Sequence, residues 1–440
     1  MWRNLDRQIL AITLPAVASN ITVPLLGLCD TAISGHLGSE SYLAAIATGT
    51  MMFNVVYLLC GFLRMATTGL TAKAYGRGSN REMVLVLIRS CTMAAVIGVG
   101  TIIFQIPILK LLELIIGPQG NSQILASDYF LICIWGAPAL LITLSINGWF
   151  IGMQNTMLTM VVSVSVNVIN ILCSLVFVFC LDMGFKGVAW GTLCANWFGV
   201  ALALLLLRYF VRRECINLNL DINPLKGEGL RQFFNVSGDL VMRSACILFV
   251  TLAVTSLGAR LGELTLAVNT VMMQFFLFFS YFMDGFAFSG EALCGKWSGA
   301  RNNRMLRATV NRLFLWTAGM TIAFSIVYII GLPGITSLIT DVEDVRKGVF
   351  GMRWFVIAVP IVSAWAFILD GIYIGLAETR RMFLTILAAT FVFCIISIAG
   401  YGFQEGSGNC FLWISFLSYL FIRGIGLLVQ LPKVMVKAVI

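Results

Sequence analysis

Charged residues and histidine are scarce in this sequence of 440 residues. Charged residues make up only 11% of it, whereas soluble proteins carry about 25%. A hydrophobic share of 59% and a mean hydropathy of +0.94 exclude a soluble globular protein and indicate a chain that lies in a bilayer. The single histidine, His36, falls in a predicted loop after the first apolar segment, so we expect no histidine-based catalytic or metal site.

Cysteine pairs with the spacing of zinc sites or disulfide frameworks are also absent. The 12 cysteines are scattered, mostly inside apolar segments, and we expect them to act as small packing residues. The first apolar segment has no small-residue cleavage site, which predicts that it is retained as a helix. We therefore expect no structural metal and no cofactor.

Twelve apolar runs are long enough to cross a bilayer as helices. A helix needs about 20 mostly apolar residues to cross a ~30 Å hydrocarbon core. The strands of a membrane barrel would instead be short and would alternate in polarity. The sequence thus predicts an all-α integral membrane protein. The predicted spans are 9–33, 42–71, 83–108, 124–152, 156–180, 186–208, 235–258, 265–293, 308–331, 348–376, 382–401 and 408–432.

Lysine and arginine are distributed unequally between the two sides of these spans. Eighteen lie on the side of the N-terminus and five on the opposite side. Cytoplasmic loops carry the excess of positive charge in membrane proteins, so both termini are predicted to be cytoplasmic. The net charge of +9 comes mostly from these loops, and we expect no nucleic-acid partner.

The two halves of the chain resemble each other at a constant offset of 223 residues. The segment Asn147–Gly152 aligns with Asp370–Gly375, and Lys73 aligns with Lys296, because 370 − 147 and 296 − 73 both equal 223. Each half holds six predicted spans, an even number, so both halves have the same orientation in the membrane. Such parallel repeats occur in many secondary transporters.

The repeat predicts two six-helix lobes related by a pseudo-twofold axis along the membrane normal. We place the N-lobe at 1–210 and the C-lobe at 234–440, joined by a polar cytoplasmic linker over 211–233. We expect the functional site to lie between the lobes, as in transporters built from repeats.

A few acidic residues fall inside the predicted spans, where an ionised group costs about 2.5–3.5 kcal/mol. They are Asp30 in the first half and Asp284, Glu291 and Asp370 in the second. Each must face a cavity, a partner or a functional site, so we predict that they belong to an ion-coupling and substrate site. A structural role is the alternative for each, most of all for Glu291, which lies nearer the cytoplasmic Lys296.

Two further polar patterns lie within the spans. Asp239 and Arg243 are four residues apart on one helix face, which predicts a structural ion pair. Asn167, Asn170 and Ser174 form a polar stripe along the fifth span, and we expect this stripe to face inward. Hydrogen bonding between helices is the alternative role for the stripe.

Three prolines within the spans predict helix bends. Pro24 lies six residues before Asp30, where a bend would make room for a cavity. Pro138 and Pro360 occupy nearly equivalent positions of the repeat, because 360 − 138 equals 222. We interpret this pair as bends that serve as pivots.

The runs Ser19–Leu37 and Phe62–Gly76 resemble the DinF branch of the MATE multidrug and toxin efflux transporters. Met283–Ala287 and Leu369–Gly371 are similar to that branch as well. The resemblance implies two six-helix lobes and the export of small organic, often cationic compounds in exchange for H⁺ or Na⁺. It implies a bacterial inner-membrane protein that acts as a monomer and is not an enzyme.

The resemblance also implies a cation site in the first lobe at Asp30, Asn167, Asn170 and Thr192, with H⁺ preferred and Na⁺ as the alternative. The family pattern has an acidic residue four places after the second asparagine, where this chain has Ser174. One carboxylate in place of two leaves the stoichiometry of coupling open.

Other functions are less compatible with these residues. A lipid-linked oligosaccharide flippase of the same superfamily is the alternative transporter, but its cleft is strongly cationic, whereas the site residues here are mainly acidic. A membrane-embedded transferase would need paired carboxylates for a metal or a histidine, and this chain has isolated acids. A channel would need a filter-like repeat, which the sequence lacks.

Overall fold

Helices make up almost all of the described structure. The computed structural model describes residues 2–35, 40–116, 121–216, 228–401 and 408–438. Within these residues there is no strand, and twelve helical stretches are long and apolar enough to span a membrane. The predicted all-α fold with twelve spans is therefore confirmed. His36 and residues 217–227 of the predicted linker lie outside the described residues.

The helices of the first half follow one another with short connections. They are α1 (Trp2–Gly35), α2 (Glu40–Cys60), α3 (Phe62–Gly76), α4 (Asn80–Ile103), α5 (Gln105–Ile116), α6 (Asn121–Cys133), α7 (Ala137–Gly152), α8 (Thr156–Leu175) and α9 (Phe185–Arg213). A 3₁₀ turn, Ile134–Gly136, joins α6 to α7, and a π-helical segment, Val176–Cys180, extends α8.

The second half contains the remaining helices. They are α10 (Glu228–Arg260), α11 (Glu263–Gly299), α12 (Asn303–Ile339), α13 (Glu343–Gly351), α14 (Arg353–Gly375), α15 (Thr379–Tyr401) and α16 (Gly408–Lys437).

The predicted proline bends fall into two structural situations. Pro138 occupies the first turn of α7, directly after the 3₁₀ turn, where its missing N–H costs no helical hydrogen bond. The fourth span is therefore built from two helices that meet at this proline. Pro24 and Pro360 instead lie inside the continuous helices α1 and α14.

The chain forms two compact units. We call Leu14–Ser237 the first unit, and Gly238 onward together with α1 up to Thr13 the second unit. The start of α1 is tied to α11 by side chains: the Thr13 and Ser289 hydroxyls are 2.7 Å apart, and Ser289 Oγ donates to the Ile9 carbonyl at 3.0 Å. Sequence order alone assigns all of α1 to the first lobe, but packing divides this helix between the units.

The repeated glycines allow the same helix contact in each unit. A Cβ on Gly148 of α7 would lie 2.4 Å from the Arg64 carbonyl oxygen of α3, and one on Gly371 of α14 would lie 2.3 Å from that of Ala287 in α11. The partners obey the same offset, since 287 − 64 equals 223. Small residues let helix backbones approach closely in membranes, which explains why this motif occurs in both halves.

Candidate functional site

A polar face of α8 bonds to two neighbouring helices of the first unit. Asn167 Nδ2 donates to Thr22 Oγ1 of α1 at 2.6 Å, and Asn170 Nδ2 donates to Thr192 Oγ1 of α9 at 3.3 Å. Ser174, one turn further along α8, donates through Oγ to Asn170 Oδ1 at 3.2 Å. The predicted polar stripe thus links α8 to α1 and α9.

Ser174 lies where α8 and α9 approach each other closely. Its side chain is fully buried, and a Cβ on Gly191 of α9 would lie only 2.3 Å from Ser174 Oγ. This packing suits a small hydroxyl side chain. At the position where the resemblance implies an acidic residue, the chain therefore has a group that orients the Asn170 amide and carries no charge.

Asp30 contributes a buried carboxylate to the same region. Its residue is 9% exposed on α1. The Tyr129 hydroxyl of α6 lies within electrostatic range of Asp30 and within hydrogen-bonding reach of Thr192. We call Asp30, Tyr129, Asn170, Ser174 and Thr192 the first-unit cluster.

All members of the cluster except Tyr129 were predicted from the sequence, and Thr22, the partner of Asn167, was not predicted either. Both carry a hydroxyl inside an apolar span, which was the available signal. Neither is ionisable near neutral pH, so neither stood out against the many hydroxyl residues of the spans.

The first-unit cluster contains one carboxylate among amide and hydroxyl groups. In the described part of the chain, no group of three or more His, Cys, Asp or Glu side chains could hold a metal ion. A multivalent metal is therefore a poor fit to the cluster. Its chemistry suits the uptake of a single positive charge, as a proton on Asp30 or as a monovalent cation beside it.

The second unit contains a different arrangement of charges. Asp370 Oδ2 of α14 accepts hydrogen bonds from Arg243 Nη2 of α10 and Arg423 Nη2 of α16. The residues are 4%, 6% and 4% exposed, respectively. Two guanidinium groups and one carboxylate give these three residues a formal charge of +2 − 1 = +1, and Asp284 adds a negative charge within electrostatic range of Arg423. We call these three residues the arginine triad.

The arginine triad corrects the predicted pairing of Asp239 with Arg243, while the ion-coupling role of Asp370 stays a prediction. Asp239 and Arg243 were expected to pair along α10, but each bonds to another helix. Arg243 bonds to Asp370, while Asp239 accepts from Thr379 Oγ1 at 3.0 Å and from Arg380 Nη1 at 3.3 Å. Asp370, predicted as an ion-coupling acid, is held by two arginines because a fully buried carboxylate needs opposite charge nearby.

The other acids of the second unit lie in different surroundings. Asp284 of α11 is within electrostatic range of Arg423, so the structure brings Asp284 and Asp370 to the same arginine. Glu291 is 1% exposed and lies at the contact between α11 and α14, where its carbonyl oxygen is 2.6 Å from the Cβ position of Gly375. Among the predicted second-unit residues, Asp284 and Asp370 thus share an electrostatic partner, and Glu291 lies at a helix contact.

Equivalent positions of the repeat show that the triad belongs to the second unit alone. Subtracting 224 from 243, since the first span of each half is offset by one more residue, and 223 from 370 and 423 gives Ser19, Asn147 and Val200, none of which is ionisable. The two units have therefore kept the same glycine contacts while their buried polar groups have diverged. Arg423 was missed as a functional candidate, although an arginine in the middle of a predicted span is as costly as an acid.

Comparison with known proteins assigns a family to this architecture. Residues 15–176 and 240–403 match the family model MatE, once in each half of the chain. The chain belongs to the MatE family. The resemblance found from the motifs is confirmed, and the double match agrees with the internal repeat.

Relatives of this MatE protein extend over nearly its whole length. DNA damage-inducible protein F of Escherichia coli strain K12 is 32% identical over 432 residues, which cover 96% of this chain and 91% of the relative. A probable multidrug resistance protein NorM from Synechococcus is 22% identical, with 93% and 89% covered. A crystal structure of MATE in the bent conformation superposes with a TM-score of 0.86 at 18% identity, covering 99% and 97% of the two chains.

Proposed function

We propose that this MatE protein exports small organic compounds, cationic or amphipathic, by alternating access in exchange for H⁺, and that Asp30 carries the proton. The first-unit cluster supports this proposal, because its buried carboxylate lies within electrostatic range of Tyr129, whose hydroxyl reaches the hydrogen-bonded network of Thr192, Asn170 and Ser174. Membership of a family of multidrug efflux transporters supports a transporter that is not an enzyme.

The network around Asp30 offers a route from proton binding to helix movement. An ionised carboxylate within the bilayer costs about 2.5–3.5 kcal/mol, and protonation removes that cost. The same helix, α1, is held to α8 by the bond from Asn167 to Thr22. Protonation of Asp30 therefore changes the electrostatic force on α1, which is hydrogen-bonded to α8 at Thr22, two turns away.

The available energy limits what one proton can drive. A proton entering down about 100 mV and one pH unit supplies about 2.3 + 1.4 kcal/mol, enough for a few-hundred-fold gradient of a neutral compound. If one cation is exported for each proton, no net charge moves, the voltage contributes nothing, and the concentration gradient of the cation reaches only about tenfold. With a single carboxylate in the first-unit cluster, we expect this difference to be measurable.

Hydrogen bonding within the cluster favours H⁺ over Na⁺. Hard cations need several oxygen ligands at once. Asn170 Oδ1 already accepts from Ser174, and the Asn170 amide group donates to Thr192. A proton needs only the Asp30 carboxylate, whereas Na⁺ needs oxygen ligands from Asp30, Asn167 and Asn170 together, and the Asn170 oxygen would have to share its two lone pairs with the Ser174 hydroxyl.

Transport by purified protein in proteoliposomes tests the proposal. A fluorescent organic cation and a neutral analogue would be followed under an imposed pH gradient or an imposed Na⁺ gradient. We expect wild type to move both under the pH gradient and Asp30→Asn to move neither. The matched control is Asp128→Asn, which removes a partly exposed carboxylate of the same unit whose ion pair with Lys186 measures 3.0 Å.

The outcomes distinguish the alternatives. Transport driven by Na⁺ alone would replace H⁺ as the coupling ion, and unimpaired transport by Asp30→Asn would remove Asp30 from the mechanism. If folded wild type moves neither dye under either gradient, a flippase for lipid-linked oligosaccharide becomes the better candidate.

We further propose that the protein lies in a bacterial cytoplasmic membrane, acts as a monomer and has both termini in the cytoplasm. The unequal distribution of Lys and Arg supports this orientation. Accessibility of single cysteines introduced at the two termini, measured in intact cells and in inverted vesicles, tests it. Labelling from outside intact cells would contradict it.

A further inference from the structure

A groove on the second unit runs along α10 and α15 and ends at an arginine. Its volume is about 510 Å³, and its α10 side presents Phe249, Ala253 and Leu257 at four-residue intervals before Arg260. A smaller cavity of about 280 Å³ adjoins it, since Leu257, Arg260 and Ser397 line both. The groove is thus apolar along its length and cationic at one end.

Arg260 is the last residue of α10 and is exposed. In the described part of the chain it has neither an ion-pair nor a hydrogen-bond partner. Arginine binds phosphate through paired N–H donors, and a basic residue at a membrane surface attracts anionic lipids. The same charge repels an organic cation, so the groove is unsuited to the proposed transport substrates.

Ser397 of α15 is a second polar residue that lines the groove. Its Oγ is buried and has no hydrogen-bond partner among the described residues, and it lines both cavities beside Arg260. Other serines of this unit bond the carbonyl four residues earlier, as Ser363 does at 2.7 Å and Ser415 at 2.8 Å. A buried hydroxyl without a partner is uncommon, and rotation of the Ser397 side chain toward the groove would let it donate to a ligand oxygen there.

The length of the groove matches one lipid leaflet. Phe249 and Arg260 are 11 residues apart on one helix, which corresponds to about 16 Å at 1.5 Å per residue. Half of a ~30 Å hydrocarbon core is about 15 Å. A ligand with its charge at Arg260 would therefore have its apolar part reach the middle of the bilayer.

We propose that this groove binds one anionic phospholipid. The phosphate lies on Arg260, a glycerol or ester oxygen accepts from Ser397 Oγ, and an acyl chain lies along Phe249, Ala253 and Leu257. The site is separate from the first-unit cluster and does not depend on the coupling ion or on the transported compound.

Native mass spectrometry of the purified protein tests this site. The protein in detergent would be titrated with phosphatidylglycerol or with phosphatidylcholine of the same acyl chains, and bound lipids would be counted. We expect wild type to bind one phosphatidylglycerol more tightly than phosphatidylcholine. Arg260→Gln should weaken the binding of phosphatidylglycerol about fivefold, because one basic residue near an anionic lipid contributes about that factor in affinity. The variant should also lose the preference for phosphatidylglycerol over phosphatidylcholine.

Two further variants separate the groove from general surface charge. Ala253→Phe fills the groove without changing its charge and should weaken the binding of both lipids. Arg304→Gln removes an exposed arginine at the start of α12 in the same unit and should bind as wild type does. The proposal is overturned if Arg260→Gln keeps wild-type affinity, if Ala253→Phe, eluting as folded protein, binds normally, or if Arg304→Gln loses as much affinity as Arg260→Gln.

Discussion

Replacement of Asp370 by asparagine should destabilise the protein severely. The substitution leaves Arg243 and Arg423 buried with no carboxylate between them, so the formal charge of the triad rises from +1 to +2. Removing one partner of a buried ion pair costs about 3–5 kcal/mol. Here two arginines lose the same partner, so we expect the free energy of unfolding to fall by about 5 kcal/mol, the upper end of that range, or more.

Thermal unfolding in detergent, followed by the monodisperse peak in size-exclusion chromatography, measures this effect. A loss of 1 kcal/mol lowers Tm by about 2–4 °C in a unit of this size, so Asp370→Asn should lower Tm by on the order of 10 °C. The control is Asp341→Asn, because Asp341 pairs with Arg346 at 2.9 Å but is fully exposed. Exposed pairs contribute about 0–1 kcal/mol, and this control should change Tm little.

A second substitution tests the physical cause. Arg243→Met lowers the formal charge of the triad to zero, and Asp370→Asn should cost less in that background because only Arg423 then loses its hydrogen-bonded carboxylate. If Asp370→Asn leaves Tm unchanged and abolishes transport alone, the triad is not a structural cluster and Asp370 acts as a coupling acid. Equal Tm losses with and without Arg243→Met would also refute the electrostatic explanation.

Two other perturbations follow from the helix contacts. Gly371→Ala places a Cβ 2.3 Å from the Ala287 carbonyl oxygen and should lower the free energy of unfolding by about 1–3 kcal/mol. The control Gly319→Ala has open space around its Cβ and should leave Tm unchanged. Equal Tm values for the two variants would contradict the close contact. Ser174→Ala removes the hydrogen bond that orients the Asn170 side chain, so it should lower the free energy of unfolding by about 1 kcal/mol and the transport rate several-fold. Transport at the wild-type rate by this variant would show that the orientation of Asn170 is unimportant.

Periodicity along a helix explains why the first-unit cluster could be predicted in part. Asn167, Asn170 and Ser174 recur at helical spacing, so one inward face followed from the sequence, and the structure joins that face to Thr192. Tyr129 could not be assigned because its role depends on how α6 packs beside α9, which local spacing does not report.

The same reasoning failed for the charges of the second unit. Arg243 has an acid four residues before it in the sequence, yet its carboxylate partner, Asp370, lies 127 residues away along the chain. Arg423 reaches the same carboxylate from 53 residues away. A buried charge selects the partner that tertiary packing brings into contact, and sequence neighbours offer only one of the choices.

By itself, the sequence determined the membrane environment, the twelve helical spans, the internal repeat and the family. These properties depend on hydropathy, on length and on residues at fixed offsets, all of which are local or additive along the chain. Only the tertiary structure decided that α1 is divided between two units, that Asp370 is held by Arg243 and Arg423, and that Arg260 closes an apolar groove. These features depend on which helix faces meet, because Coulomb and contact interactions act over a few ångströms in space whatever the separation along the chain.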